Sequence, residues 1–293
     1  MKFYLPDFFF KFDLNILITQ LWQEHPEYFH DGLEIGAIYG SFPGAIWNGG
    51  RLMCGGTVIQ NIENIINQFN ELDMPIRFTF TNSLLQKEHL NDTYCNLIME
   101  SANNGMNEVI VNSPILEDYL RNKYPNFKYI LSTTRCERNI DTINDYTKQY
   151  DLIVTDYRDN INLDFLSQIQ DKSKIELLVN SYCDPNCTRR KQHYDAISHN
   201  QLIFRVADRE GQDVMSCPTY NRNFYDIFDL SSVITVDKLF DTYIPMGFSH
   251  FKIEGRTSHI SNVIESYIYY MIKPEYQNKV RLYLLRNCIT EQN

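Results

Sequence analysis

The chain has 293 residues, 43% of them apolar, with a formal net charge of −10 and an isoelectric point near 5.2. That length admits one large α/β barrel, and 20 Tyr and 18 Phe supply ample bulk for its core. The acidic balance disfavours nucleic acid, whose affinity comes largely from Lys and Arg contacts to phosphate, and the sequence contains no apolar run of 18 residues that would read as a spanning helix.

Residues 1–12 are apolar and aromatic but are interrupted by Pro6, Asp7 and Lys11. They read as neither a signal peptide nor a membrane anchor, so a cytoplasmic location is expected. Seven cysteines without a secretory signal favour thiols or metal ligands over a disulfide framework.

Short β-rich runs follow at 3–5, 33–39, 76–81, 108–111, 129–132, 152–155, 175–180 and 250–254. Amphipathic helical stretches separate most of them. The clearest spans 57–72, with Val58, Ile62, Ile65, Ile66 and Phe69 on one stripe and a Thr57/Gln60 capping box predicted at its start. Another spans about 258–271, with Ile260, Val263, Ile264, Tyr267, Ile268 and Met271 apolar. Eight strands alternating with helices predict a single-domain TIM-like (β/α)8 barrel over residues 1–293. Polar residues close several strands: Asn82, Asn112, Ser132, Asp156, Asn180 and Glu254. They would sit at the face where such barrels do chemistry. The segment 181–245, between the last two strands, is far longer than one crossover needs, and long connections of this kind tend to be functional.

That excursion carries Cys183-Asp184-Pro185-Asn186-Cys187 directly after the seventh strand, and later Cys217-Pro218. Thiolates are soft ligands suited to iron–sulfur clusters or zinc, and Pro185-Asn186 favours a turn that would bring two sulfurs together. Cys183, Cys187 and Cys217 are therefore the candidate metal ligands, with buried structural cysteines as the alternative. A fourth ligand is open between Cys54 and Cys136. With three sulfurs only, one metal ion would face substrate. His193, just past a basic turn with Arg189, Arg190 and Lys191, is a candidate general acid or base beside Tyr194.

In Phe251-Lys252-Ile253-Glu254-Gly255-Arg256, alternation places Lys252 and Glu254 on one face and Phe251 and Ile253 on the other. In a barrel the first face points inward, where a buried amine and carboxylate must pair or shift their pKa values. Arg256, after Gly255, is placed to fork onto a carboxylate or phosphate. His250, at the other end of this strand, reads as structural.

The Lys252-Ile253-Glu254-Gly255-Arg256 motif, followed by Thr257-Ser258 and a helix bearing Tyr267 and Tyr270, resembles the collagenase-like peptidase family (peptidase family U-thirty-two). Ile175 to Asn180 leading into the cysteine loop, Tyr129 to Ser132, and the segment from Tyr39 to Arg51 are also similar. The resemblance implies a TIM-like barrel and a [4Fe-4S] cluster, with Cys183, Cys187 and Cys217 among its ligands. It also implies an oxygen-independent hydroxylase or oxidoreductase acting on a small molecule or a nucleoside precursor, in some members as a hetero-oligomer. Lys252, Glu254, Arg256 and His193 are then the expected catalytic residues. Two alternatives stand beside this: a peptidase pairing Cys183 or Cys217 with His193, and a non-catalytic subunit that supports a partner. No Gly-x-Ser-x-Gly or His-Glu-x-x-His motif is present.

Overall fold

Strand alternation decides the architecture. The computed structural model describes residues 1–203 and 222–289, and in it eight parallel strands close into a barrel in chain order. They are β1 (Lys2–Pro6), β2 (Glu34–Gly40), β3 (Ile76–Phe80), β4 (Glu108–Val111), β5 (Lys128–Leu131), β6 (Leu152–Val154), β7 (Ile175–Leu178) and β8 (His250–Lys252). Closure is made by β1 against β8, with Lys2 opposite His250, Phe3 opposite Phe251 and Tyr4 opposite Lys252. The predicted (β/α)8 barrel and its long excursion between β7 and β8 are both present.

The helices are α1 (Phe12–Glu24), α2 (Ile59–Glu71), α3 (Thr93–Ser101), α4 (Pro114–Lys123), α5 (Ile140–Tyr146), α6 (Leu163–Ser167), α7 (Arg190–Ile203), the short α8 (Val236–Lys238), α9 (Ile260–Met271) and α10 (Gln277–Ile289). Of the apolar stripe expected on α2, Ile62, Ile65, Ile66 and Phe69 form its buried face, whereas Val58, at the N-cap, is exposed. Its predicted capping box does not form. Val58 is the N-cap and no side chain caps the helix. The Thr57 hydroxyl accepts a bond from Asn61 Nδ2 at 2.8 Å instead. α9 begins one residue after His259, whose ring accepts from the Ser261 N–H. No helix among the described residues is long and apolar enough to cross a membrane.

Outward strand residues such as Phe3, Phe78, Val109, Leu177 and Phe251 pack with the helices in one continuous apolar layer. Inward residues form a second cluster: Tyr4, Ala37, Tyr39, Ile110, Ile130, Leu152, Val154 and Leu178. Among them lies a buried charge network. Arg77 is fully buried. Its Nε donates to Glu108 Oε2 at 2.6 Å and its Nη1 donates to Glu176. Lys252 Nζ donates to the other oxygen of Glu176 at 3.0 Å. The Arg77 guanidinium sits 3.8 Å from the centre of the Tyr4 ring. Gly36 makes room for that ring, since a Cβ there would lie 2.6 Å from Tyr4 Cε1.

Removing one partner from a buried ion network strands the others without compensation. Arg77→Met is expected to cost about 3–5 kcal/mol, read as a lowered urea midpoint. A loss under about 1 kcal/mol, the size of a surface pair, would mean the network does not bear on stability.

Candidate active site

The mouth of the barrel is built around the loop after β2, residues 41–58. The Asn82 N–H donates to Trp47 O at 3.0 Å and the Gly49 N–H to Thr79 O at 3.3 Å, which draws this loop down onto the end of β3. Gly49 is required there: a Cβ would meet the Thr81 carbonyl carbon and oxygen at 2.5 Å. Gly50 follows with φ +73°, a left-handed conformation that favours glycine. Arg51 is thereby aimed across the mouth at Glu254, with which it forms an ion pair. The Glu254 backbone is fixed by Asn180, which accepts from its N–H at 2.6 Å and donates to its carbonyl at 3.0 Å.

Between these elements lies a cavity of about 70 Å³. Strand residues Ile110, Val154, Leu178 and Lys252 form its floor. Its wall carries the hydroxyls of Thr79, Thr81, Ser132, Thr133 and Thr134, the rings of Tyr39, Tyr157 and Tyr194, and Arg51, Cys183, Arg190, Glu254 and Arg256. A larger recess of about 460 Å³ opens at the opposite end, among Lys2, Glu108, Lys128, Asp151 and His250. Barrel enzymes work at the C-terminal face, and the smaller cavity lies there.

The charges on the two sides of the mouth are handled differently. Arg256 Nη1 donates to Thr79 Oγ1 at 2.7 Å and Asn48 Oδ1 at 3.1 Å, and Nη2 to Gly49 O at 2.9 Å. All three acceptors are neutral. The carboxylates nearby are engaged by other cations, Asp7 by Lys11 and Glu254 by Arg51. Burial, then the like charge of Arg51, pushes the Arg256 pKa down to about 10. Opposite, Arg190 Nη1 lies 2.5 Å from Asp156 Oδ2 and Nη2 donates to Thr133 Oγ1 at 2.8 Å. Its plane lies near the Tyr157 and Tyr194 rings, 4.6 and 5.1 Å from their centroids. Asp156 also holds Arg158 at 2.7 Å. Burial opposes the Asp156 charge, but these two guanidinium groups hold its pKa below the usual carboxylate range. On the floor, burial pulls the Lys252 pKa down to about 8, against the attraction of Glu176.

Of the residues singled out in the sequence, Lys252, Glu254, Arg256 and Cys183 meet on this cavity. The inward placement of Lys252 holds, but its partner is Glu176. Glu254 lies beyond the strand end and turns to Arg51, so the two motif charges do not pair with each other. Arg256 forks onto neutral oxygens within the protein. His193 lies off the cavity wall, half-buried on the first turn of α7. Burial, Arg51 and Arg189 lower its pKa. Cys187 lies in the turn before α7, where its N–H donates to Asp184 O at 3.1 Å and its carbonyl accepts from Arg158 at 3.3 Å. Cys217 lies outside the described residues. Of the two fourth-ligand candidates, Cys54 is exposed on the 41–58 loop. Cys136 takes φ 56°, and its Sγ lies 3.9 Å from Arg190 Nη1. No disulfide joins the described cysteines. Among the described residues no three His, Cys, Asp or Glu side chains are gathered as a metal requires.

Sequence reasoning missed Arg77, Glu176, Arg51 and the pair Arg190–Asp156 as parts of one arrangement. Two of these carried a usable signal. Arg77 in Ile76-Arg77-Phe78-Thr79-Phe80 and Glu176 in Ile175-Glu176-Leu177-Leu178 are charges inside apolar strands, the same mark that singled out Lys252. Arg51 gave none, because only the fold of a glycine-rich loop aims it at Glu254.

No protein-family model matches the chain, and no curated protein matches it. Among solved structures, the chain is similar to the U32 peptidase Mk0906, at 12% identity and a TM-score of 0.51, covering 87% of this chain and 92% of that one. At this identity the likeness shows the fold. The chain also aligns with the 3-keto-D-glucoside 4-epimerase YcjR from E. coli, at 14% identity and a TM-score of 0.38, over 98% and 100% of the two chains. That likeness is too distant to carry an argument. The shared architecture is the closed parallel barrel of a U32-like fold.

Proposed function

We propose that this barrel is an enzyme that binds a small anionic molecule at its C-terminal mouth and exchanges protons with it. The observation that supports this most directly is Arg256, a cation on the cavity wall whose hydrogen bonds among the described residues go to neutral oxygens. A guanidinium so placed gains from an incoming oxyanion, because a charge-assisted bond is roughly twice as strong as a neutral one. The Ser and Thr hydroxyls that ring the cavity donate or accept as the ligand requires. Glu254 is the carboxylate on that wall for proton exchange, and Arg51 fixes its orientation. The small cavity favours a compact molecule over a peptide or nucleic acid. A peptidase would need a nucleophile beside a base. Cys183 lies on the wall and His193 does not, so the anion site is preferred.

The binding step is checked by thermal or urea unfolding with added inorganic phosphate, against chloride at matched ionic strength. Phosphate is expected to stabilise the wild type, by about 2.7 kcal/mol at a hundredfold excess over Kd. Arg256→Gln is expected to weaken binding by at least about tenfold, roughly 1.4 kcal/mol. An Arg256→Gln variant that responds like the wild type would sink the site.

A second reading keeps the iron–sulfur cluster implied by the family resemblance, and the presence of Cys183 on the cavity wall favours it. It predicts a brown anaerobic preparation holding iron and sulfide, both lost in Cys183→Ala. A preparation that stays colourless after reconstitution would remove the cluster and leave the anion site standing.

A further inference from the structure

We propose that Lys252 is a carbonyl-condensing amine, whose Nζ forms an imine with a small aldehyde or ketone carried into the mouth of the barrel. This rests on the mouth being a small-molecule site and assigns it a substrate class, a compact carbonyl compound bearing an anionic group.

Placement is the first support. Lys252 ends β8 and its buried side chain lines the cavity together with Ile110, Val154 and Leu178. Burial limits water around the amine and favours its neutral, nucleophilic form.

Charge balance in the barrel is the second. Arg77, Lys252 and Lys128 face Glu108 and Glu176. When Lys252 is neutral, Glu176 still holds Arg77, and Glu108 still holds Arg77 and Lys128. Lys252 can thus lose its charge without stranding a carboxylate, and unlike the Arg77 guanidinium its amine can deprotonate in a protein. The groups facing it are Glu176 on β7, Arg77 on β3, the Tyr39 ring on β2 at 3.6 Å, and Arg256 beyond β8. Burial outweighs the Glu176 attraction and leaves the amine with a pKa of about 8, so a useful fraction is unprotonated near neutrality.

The step balances. The neutral amine attacks the carbonyl carbon and a C–N bond forms. The carbonyl pair moves to oxygen, which takes one proton from nitrogen to give a carbinolamine. A second proton, from solvent, carries that oxygen away as water. The product is an iminium cation. Its charge falls where the ammonium stood, against Glu176 and over the Tyr39 ring, so the network that tolerates the neutral amine also stabilises the product.

The test uses the full chain, pyruvate as probe and sodium cyanoborohydride as trap, with the adduct mapped by peptide mass spectrometry. The reduced adduct is expected on Lys252 at roughly tenfold or more above any other lysine. That ratio corresponds to an amine about one or more pKa units less basic than its competitors. Trapping is expected to rise roughly fivefold from pH 7 to pH 8, as the neutral fraction of a base with a pKa of about 8 does. Lys252→Arg keeps a cation beside Glu176 and is expected to abolish the adduct, with a urea midpoint near that of the wild type showing that the variant is folded. Adduct spread evenly over surface lysines, or undiminished in Lys252→Arg, overturns the proposal. No trapping with the phosphate response intact refutes the imine alone. Absence of the phosphate response in the wild type refutes the anion site beneath it.

Discussion

One buried cation organises the molecule. Arg77 points into a closed barrel, where a guanidinium is costly unless carboxylates meet it with good geometry. Two do so, Glu108 from β4 and Glu176 from β7. Tyr4 from β1 lies against its face, and Glu176 in turn fixes Lys252 from β8. Strands far apart in sequence are thus tied through one group. Neighbouring strands can slide by two residues and keep their apolar faces, but such a slip would separate Arg77 from its carboxylates. The network therefore specifies register as well as closure.

The same arrangement sets up the mouth. With Lys252 held on the floor, the chain leaves β8 toward Glu254, which Asn180 grips by both backbone groups. Arg256 follows, its carbonyl held by Lys11 Nζ at 2.9 Å. From the other side, the loop at Gly49 and Gly50 brings Asn48 and Arg51 to meet those two side chains. Each charged group on this part of the wall is positioned by packed backbone or by a partner side chain. Little ordering is then left to be done when a ligand enters, and low ordering cost is what makes a site efficient.

The fold was largely legible because its signals are local. Period-two runs, amphipathic stripes and polar strand ends each depend on a few neighbouring residues, and the eight expected strands match the eight observed to within a few residues at their ends. The polar strand ends divided by use. Ser132 and Glu254 reach the cavity. Asp156 anchors Arg190. Asn82 and Asn180 act as clamps, Asn82 donating to the carbonyls of Ile46 and Ser198. Sequence cannot separate these uses, since all three ask for a short polar side chain after a strand. The Lys252–Arg256 motif lies on the cavity at the mouth, but its lysine and glutamate pair elsewhere and not with each other. Alternation shows which face a residue takes, whereas Glu176 and Arg51 lie 76 and 203 positions from their partners. Contacts at such separation appear only once the barrel is closed.

The two ends of the barrel treat their charges differently. At the base, charges are matched near solvent: Lys2 with Glu34 at 2.9 Å, Lys128 with Glu108 at 3.7 Å, the lysines half-exposed. Pairs like these are cheap to hydrate and offer a ligand little that water does not. At the mouth, among the described residues, cations outnumber the carboxylates that face them. Arg190 and Arg158 share Asp156, Arg51 occupies Glu254, and Arg256 is left with neutral acceptors. Positive charge held without a matching carboxylate in a buried site is destabilising on its own. An arriving anion would relieve that cost. The larger recess is therefore the weaker candidate, because binding strength at such sites follows unmatched charge and desolvation more closely than volume.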